Sequence, residues 1–111
     1  MNYSFEKEDD ILVVTIIAKR ATVEFSGALK EALIKQIEEG ARNVVLDLSQ
    51  TEFIDSSFLG TLVAGLKKAT MMNGDLKLVG LRETVKSIFE LTRLYRIFDI
   101  FDNKDAALKS F

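Results

Sequence analysis

Asp55, Ser56 and Ser57 bring one carboxylate and two hydroxyls together in a 111-residue chain. A serine hydroxyl becomes a nucleophile when a neighbouring base takes its proton. That base is missing here. The chain has no His and no Cys. No Ser-His-Asp triad, imidazole base, thiol nucleophile or zinc site of the common type can therefore be built. Lysine is the remaining base. Lys67 and Lys68, the closest in sequence, lie about three turns down the following helix by its rise per residue. They cannot reach the start of their own helix. Neither Gly-x-x-x-x-Gly-Lys-Ser/Thr nor Gly-x-Gly-x-x-Gly occurs, so both phosphate-cradling signatures are absent. One reading left for Asp55-Ser56-Ser57 is structural. A helix start exposes unpaired N–H groups, and any of the three side chains can accept from them. A functional reading stands beside it.

The elements around these residues place them at an edge where sites form. Asn43 to Leu48 is an apolar run that reads as a buried strand. Leu59, Leu62, Val63 and Leu66 then recur at helical spacing in a helix that runs to about residue 72. These four are expected to face the sheet. Phe58, Thr61, Gly65 and Lys68 fall on another face, the candidate docking surface. Gly60 and Gly65 each cost a helix about 1 kcal/mol against Ala, and close packing is the reason expected for keeping them small.

The chain upstream supplies a weak strand over 3 to 8, a turn, and a β-branched strand over 11 to 17 suited to a central position. Lys19 to Thr22 reads as a loop. Phe25, Ala28, Leu29, Ala32, Leu33, Gln36 and Ile37 mark one face of a helix over about 23 to 39, stopped by Gly40. Lys30, Glu31, Lys35 and Glu38 form its solvated side. Downstream, Asn73-Gly74 turns the chain into a strand over 75 to 80, whose Asp75 and Lys77 predict less burial than strand 43 to 48. A helix over 82 to 93, a short strand over 96 to 101 and a terminal helix ending near Ser110 complete the order. Alternating strands and helices predict an α/β fold. Its sheet is mostly parallel, with four to five strands and about four helices. In such sheets sites form at the carboxyl ends of the strands, which here are residues 18 to 22, 49 to 56 and 80 to 83.

Composition narrows the classes further. The length fits a single domain over residues 1 to 111 with a proper core. The chain is 48% hydrophobic and 29% charged, as ordinary globular proteins are. A net charge of −2 gives no reason to expect nucleic acid or an anionic membrane surface as partner. No apolar run approaches a membrane span, and the acidic start lacks a signal peptide's pattern. A cytoplasmic location is expected. No cofactor or metal is implied.

Val44-Val45-Leu46-Asp47-Leu48-Ser49, a short loop, then Ile54-Asp55-Ser56-Ser57-x-Leu59-Gly60 resembles the STAS domain of bacterial anti-sigma factor antagonists. The likeness extends over the whole chain in length and element order. It implies that Ser56, the first Ser after the Asp, is phosphorylated by a partner kinase. It implies a partner-switching role. The unphosphorylated protein binds an anti-sigma factor that is also a serine kinase, and so frees a sigma factor. A serine phosphatase reverses the modification. A kinase brings its own base, metal and nucleotide, so a substrate needs only an exposed hydroxyl, and a chain without His or Cys suits that role.

The chain departs from the family pattern in two places. Phe58 stands where the family usually has Gly. It either covers the loop or anchors a partner. Ala18-Lys19-Arg20-Ala21 stands where the family often has Gly-x-Leu/Ile-Asp. Lys19 and Arg20 are either solvated or pair with a phosphate on Ser56 or an acidic partner. Asp55, Ser57, Phe58, Thr61, Lys19 and Arg20 are thus the partner-facing candidates. Three other readings remain. A non-switching STAS adaptor in a signalling or transport complex would use Asp-Ser-Ser only as a cap. A phosphoacceptor receiver needs acids after its first strand, whereas Glu8, Asp9 and Asp10 precede the strand at 11 to 17. A small nucleotide hydrolase lacks the motifs. Oligomeric state is open, with Tyr95, Phe98, Phe101 and Phe111 as core or interface.

Overall fold

The computed structural model describes residues 2–111. Strand β1 (Tyr3–Glu8) turns through Asp9 into β2 (Ile11–Ile16). A two-residue β3 (Arg20–Ala21) leads into helix α1 (Val23–Glu38). Next come β4 (Asn43–Asp47), a two-residue β5 (Phe53–Ile54) and helix α2 (Ser56–Met71). Strand β6 (Asp75–Val79), helix α3 (Glu83–Leu91), a 3-10 turn at Leu94–Arg96, β7 (Ile100–Phe101) and helix α4 (Lys104–Lys109) finish the chain.

Five strands form the main sheet in the order β1-β2-β4-β6-β7. Only β1 runs antiparallel to its neighbour. The α/β class and mostly parallel sheet therefore stand as expected. Side chains alternate across a strand, and the register turns that alternation into rows. Leu12, Val44 and Leu76 lie side by side, as do Val14, Leu46 and Leu78. All six are buried against Phe25, Leu29, Leu33 and Ile37 of α1, Phe58, Leu62 and Leu66 of α2, and Val85 and Phe89 of α3. Val45 and Val79 point to the opposite face, which α4 covers through Ala107.

Helix ends follow local chemistry. Thr22 caps α1 by accepting from the Glu24 amide. Beyond the other end, Gly40 takes a positive φ of 122°. Gly74, after α2, passes so close to Arg42 that a Cβ would meet the Arg42 carbonyl oxygen. That approach ties the start of β4 to the start of β6.

Several expectations need correction. Lys19 to Thr22 and the stretch leading to Asp55 read as loops, yet each contains a short strand. The strand expected over 96 to 101 is mostly turn. Arg93 takes the left-handed conformation, and Phe98 folds inward onto Phe89 with ring centroids 5.8 Å apart. Pairing with β6 begins only at Ile100. Strand β6 is also more buried than its charges predict. Lys77 is only 6% exposed, because its ammonium is covered by Ser110 and by the ring of Phe111 at 4.3 Å.

Candidate functional site

The Asp-Ser-Ser segment is held by backbone pairing at the carboxyl ends of the strands. Strands β3 and β5 form a small parallel sheet of their own, with Arg20 opposite Phe53 and Ala21 opposite Ile54. The Lys19 carbonyl accepts from the Glu52 and Phe53 amides, and the Ala21 carbonyl accepts from the Asp55 amide. Thr51, fully buried, donates its hydroxyl to the Ala18 carbonyl at 3.0 Å. Helix α3 supports the same loop from the other side. Thr84 donates to the Glu52 carbonyl at 2.7 Å, and Arg82 donates to the Ser49 carbonyl at 2.9 Å. Two of the three predicted edge segments thus pair directly, and the third buttresses them.

Asp55 joins the N-termini of two helices. One carboxylate oxygen accepts from the Phe58 amide at 2.9 Å and caps α2. The other accepts from the Val23 amide at 2.9 Å, in the first turn of α1. Its negative charge is therefore matched to the partial positive charge at both helix starts. Both oxygens are aimed at backbone amides, so Asp55 acts here as a cap and orienting group.

Ser56 and Ser57 differ sharply in environment. Ser56 opens α2 and is exposed. Ser57 is partly buried, and its Oγ lies 2.6 Å from the Oγ of Ser26 in α1. Thr61 donates its hydroxyl to the Ser26 carbonyl at 3.0 Å. These hydroxyls floor a groove of approximately 320 Å³ whose walls include Val23, Gly27, Lys30 and Gly60. A Cβ added at Gly27 or Gly60 would meet nothing within 4 Å. The backbone is thus open to close approach at both positions.

The expected docking face of α2 is wrong in rotation. Phe58, Thr61 and Gly65 are buried along with Leu62, Leu66 and Ala69, whereas Leu59 and Val63 are only partly covered. Phe58 is 0% exposed and packs edge-on against Phe25, with centroids 6.1 Å apart. It covers the loop from within and cannot anchor a partner in this conformation. Thr61 is 3% exposed and serves as an interhelix hydrogen-bond donor. Gly65 does pack closely, because a Cβ there would lie 2.7 Å from Leu33 Cδ2, but Gly60 faces open space.

Lys19 and Arg20 are exposed beside the loop. The Arg20 guanidinium stacks over the Phe53 ring at 4.4 Å, a contact available to Arg through its planar, weakly hydrated head. Reasoning from the sequence missed the α1 side of the site altogether. Ser26 was its one signal, a hydroxyl residue between the apolar positions 25 and 29 of that helix.

The family model for the STAS domain matches residues 2–107. The anti-sigma-B factor antagonist of Bacillus subtilis is 34% identical, over 86% of this chain and 84% of that protein. A crystal structure of an anti-sigma factor antagonist from Mycobacterium paratuberculosis superposes with a TM-score of 0.86 at 25% identity, covering 97% of this chain and 91% of that one. The Bacillus cell fate determinant SpoIIAA in its phosphorylated form shares the fold, with a TM-score of 0.78 at 14% identity over 97% of each chain. With a mostly parallel five-strand sheet, an Asp-Ser-Ser helix start at its carboxyl edge and a family match across nearly its whole length, the chain belongs to the STAS domain family.

Proposed function

We propose that this protein is an anti-sigma factor antagonist switched by phosphorylation of Ser56. The observation that carries the reading is the split between the two serines. Ser56 is exposed at a helix start, while Asp55 and Ser57 on either side are held by hydrogen bonds to α1. A phosphate on Ser56 adds about −1.5 to −2 charge where helix amides favour it. It alters the surface and leaves the cap in place. The groove of Val23, Ser26, Gly27, Lys30, Ser57, Gly60 and Thr61 adjoins that position and is the surface the partner reads. Gly27 and Gly60 let a partner's backbone come close there.

The partner is an anti-sigma factor with serine kinase activity, and a serine phosphatase restores the unmodified form. Relatives of this chain carry the antagonist name, and the fold occurs in a phosphorylated form in SpoIIAA. Forced into an acidic or apolar interface, a phosphoserine loses hydration and meets repulsion. Each ~1.4 kcal/mol of that penalty weakens binding tenfold. Lys19 and Arg20 sit beside the loop as its available cations. Reversing both charges is expected to change phosphorylation or partner affinity, and unchanged values for both would remove them from the switch.

A non-switching adaptor is the second reading. It is favoured by the complete engagement of Asp55 as a double cap, which accounts for that residue without any kinase. Intact-mass spectrometry of the protein from its own cells, with fragmentation across residues 51 to 67, separates the two. A phosphatase-sensitive phosphate on Ser56 supports the switch. Its absence across growth and stress conditions supports the adaptor.

A further inference from the structure

At the far end of α2 from Ser56, Met71 and Ile97 stand 76% and 51% exposed. With Val63, Leu66, Lys67 and Thr70 they line an open groove of approximately 390 Å³ between the C-terminal half of α2 and the turn after α3. Val63 and Met71 lie about 10 and 22 Å along the helix axis from Ser56. Leu91 and Tyr95 are also exposed on the connection from α3 to β7. Single exposed apolar residues are ordinary on a protein surface, whereas several that share one open groove form a candidate docking site.

The one charged residue in the groove's lining is basic. It is Lys67, and the adjoining turn carries Arg93 and Arg96. Ion pairs among the described residues join Lys68 to Glu38, Lys77 to Asp99 and Lys104 to Glu8. None involves Lys67, Arg93 or Arg96. Glu90 and Asp99 are the carboxylates nearest these arginines in sequence, and neither bridges to them. Arg93 also takes φ 61° directly after the end of α3. Glycine would adopt that conformation without strain. An arginine occupies that position instead.

We propose that this groove receives an amphipathic helix of a partner protein, with an apolar stripe flanked by acidic residues. Its walls come from a helix and a turn, with no strand edge to which a partner strand would add. Polyproline segments dock in aromatic-lined grooves, and no aromatic residue lines this one, so a helix laid in the groove is the mode of peptide recognition that fits. From Val63 to Met71 the groove runs about 12 Å along α2, which matches anchors at i, i+3 or i+4, and i+7. A second copy of this chain would bring two basic rims together. An anionic membrane would match the charge, but Lys67, Arg93 and Arg96 are fewer than the cluster of about four to eight basic residues that marks lipid-headgroup binding.

The test is an NMR titration of the full-length, 15N-labelled chain with a synthetic helical peptide carrying Leu at i, i+3, i+4 and i+7 and Glu on both flanks. Amide shifts are expected at residues 63 to 71 and 95 to 97. Met71→Glu, and separately Lys67→Glu with Arg96→Glu, are expected to weaken binding at least tenfold. A Lys-flanked peptide should bind at least tenfold more weakly. These exposed substitutions should leave the thermal unfolding curve in place, which checks that the variants fold. Ser56→Asp should leave peptide binding unchanged, so the outcome is independent of the phosphorylation reading. No shifts in the groove at millimolar peptide, or equal affinity for the Lys-flanked peptide, would overturn the proposal. Sedimentation that shows a dimer dispersed by Met71→Glu would reassign the face to a second copy. Binding to anionic vesicles, lost in Met71→Glu and without a peptide response, would reassign it to a membrane.

Discussion

The hydroxyl oxygens of Ser57 and Ser26 lie 2.6 Å apart and join α2 to α1 directly behind the exposed Ser56. The pair is lopsided, because Ser26 is 2% exposed while Ser57 is only partly buried and lines the groove. Ser57→Ala leaves a buried hydroxyl without its partner and is expected to cost about 1–2 kcal/mol. Ser26→Ala leaves a hydroxyl that can turn to water and should cost less than about 1 kcal/mol. The double variant should lose less than the sum of the two. Urea unfolding of all four proteins checks this, and equal single-variant losses would show that Ser26 finds another partner.

Asp55 serves two helices, so its removal should cost more than an ordinary cap. Asp55→Ala is expected to lose about 2 kcal/mol, one contribution from the α2 cap and one from the Val23 amide. Asp55→Asn retains one accepting oxygen and should lose about half as much. Hydrogen exchange at Val23 and Phe58 distinguishes the two contacts. Faster exchange at Phe58 alone in Asp55→Ala would mean that α1 does not depend on this carboxylate.

Phe58 packs as a core residue, and its variants should behave accordingly. Phe58→Ala is expected to destabilise by about 3–5 kcal/mol through lost burial and the cavity beside Phe25. Phe58→Leu should cost under about 1.5 kcal/mol and leave partner affinity unchanged. A Phe58→Leu protein of normal stability that no longer binds its partner would restore the anchor role.

Ser56 itself carries little of the fold, because Asp55 holds the cap. Ser56→Ala should stay within about 0.5 kcal/mol of the parent protein and bind its partner constitutively. Ser56→Asp should gain about 0.3–1 kcal/mol from a negative charge in the first turn, yet bind poorly. Calorimetry and a pull-down with the cognate anti-sigma factor read both effects. Equal affinity of the two variants would count against a charge switch.

Gly60 and Gly65 should respond in opposite directions to a methyl group. Gly60→Ala places it in open space and should stabilise α2 by about 0.5–1 kcal/mol. Gly65→Ala drives it toward Leu33 and Leu76 in the packed core, with an expected net loss of about 1 kcal/mol. If a partner's backbone sits against Gly60, Gly60→Ala should also weaken binding while raising the melting temperature. Unchanged affinity would place the interface elsewhere on the groove.

Local pattern was enough to determine much of this molecule. The β-branched runs at 11 to 16 and 43 to 47, the apolar stripe of α1 and the Asn73-Gly74 turn each specify their element through contacts a few residues apart. The position of Asp55 at a helix start was legible for the same reason, because capping is a local hydrogen bond. The pairing of β3 with β5 was not legible, since two-residue strands show no periodicity and depend on partners more than 30 positions away.

Only the tertiary structure decided which face of α2 is inside. It carries two overlapping stripes of apolar and small residues, 59-62-63-66 and 58-61-62-65-66, and both fit helical spacing. Where α1 and the sheet pack against it selects the second, which buries Phe58 and Thr61 and sets Ser57 against Ser26. The same packing leaves Ser56 outside, one residue from a hydroxyl that is held within. Sequence spacing puts two serines side by side. Long-range packing alone gives them different environments, because burial is a property of the assembled surfaces.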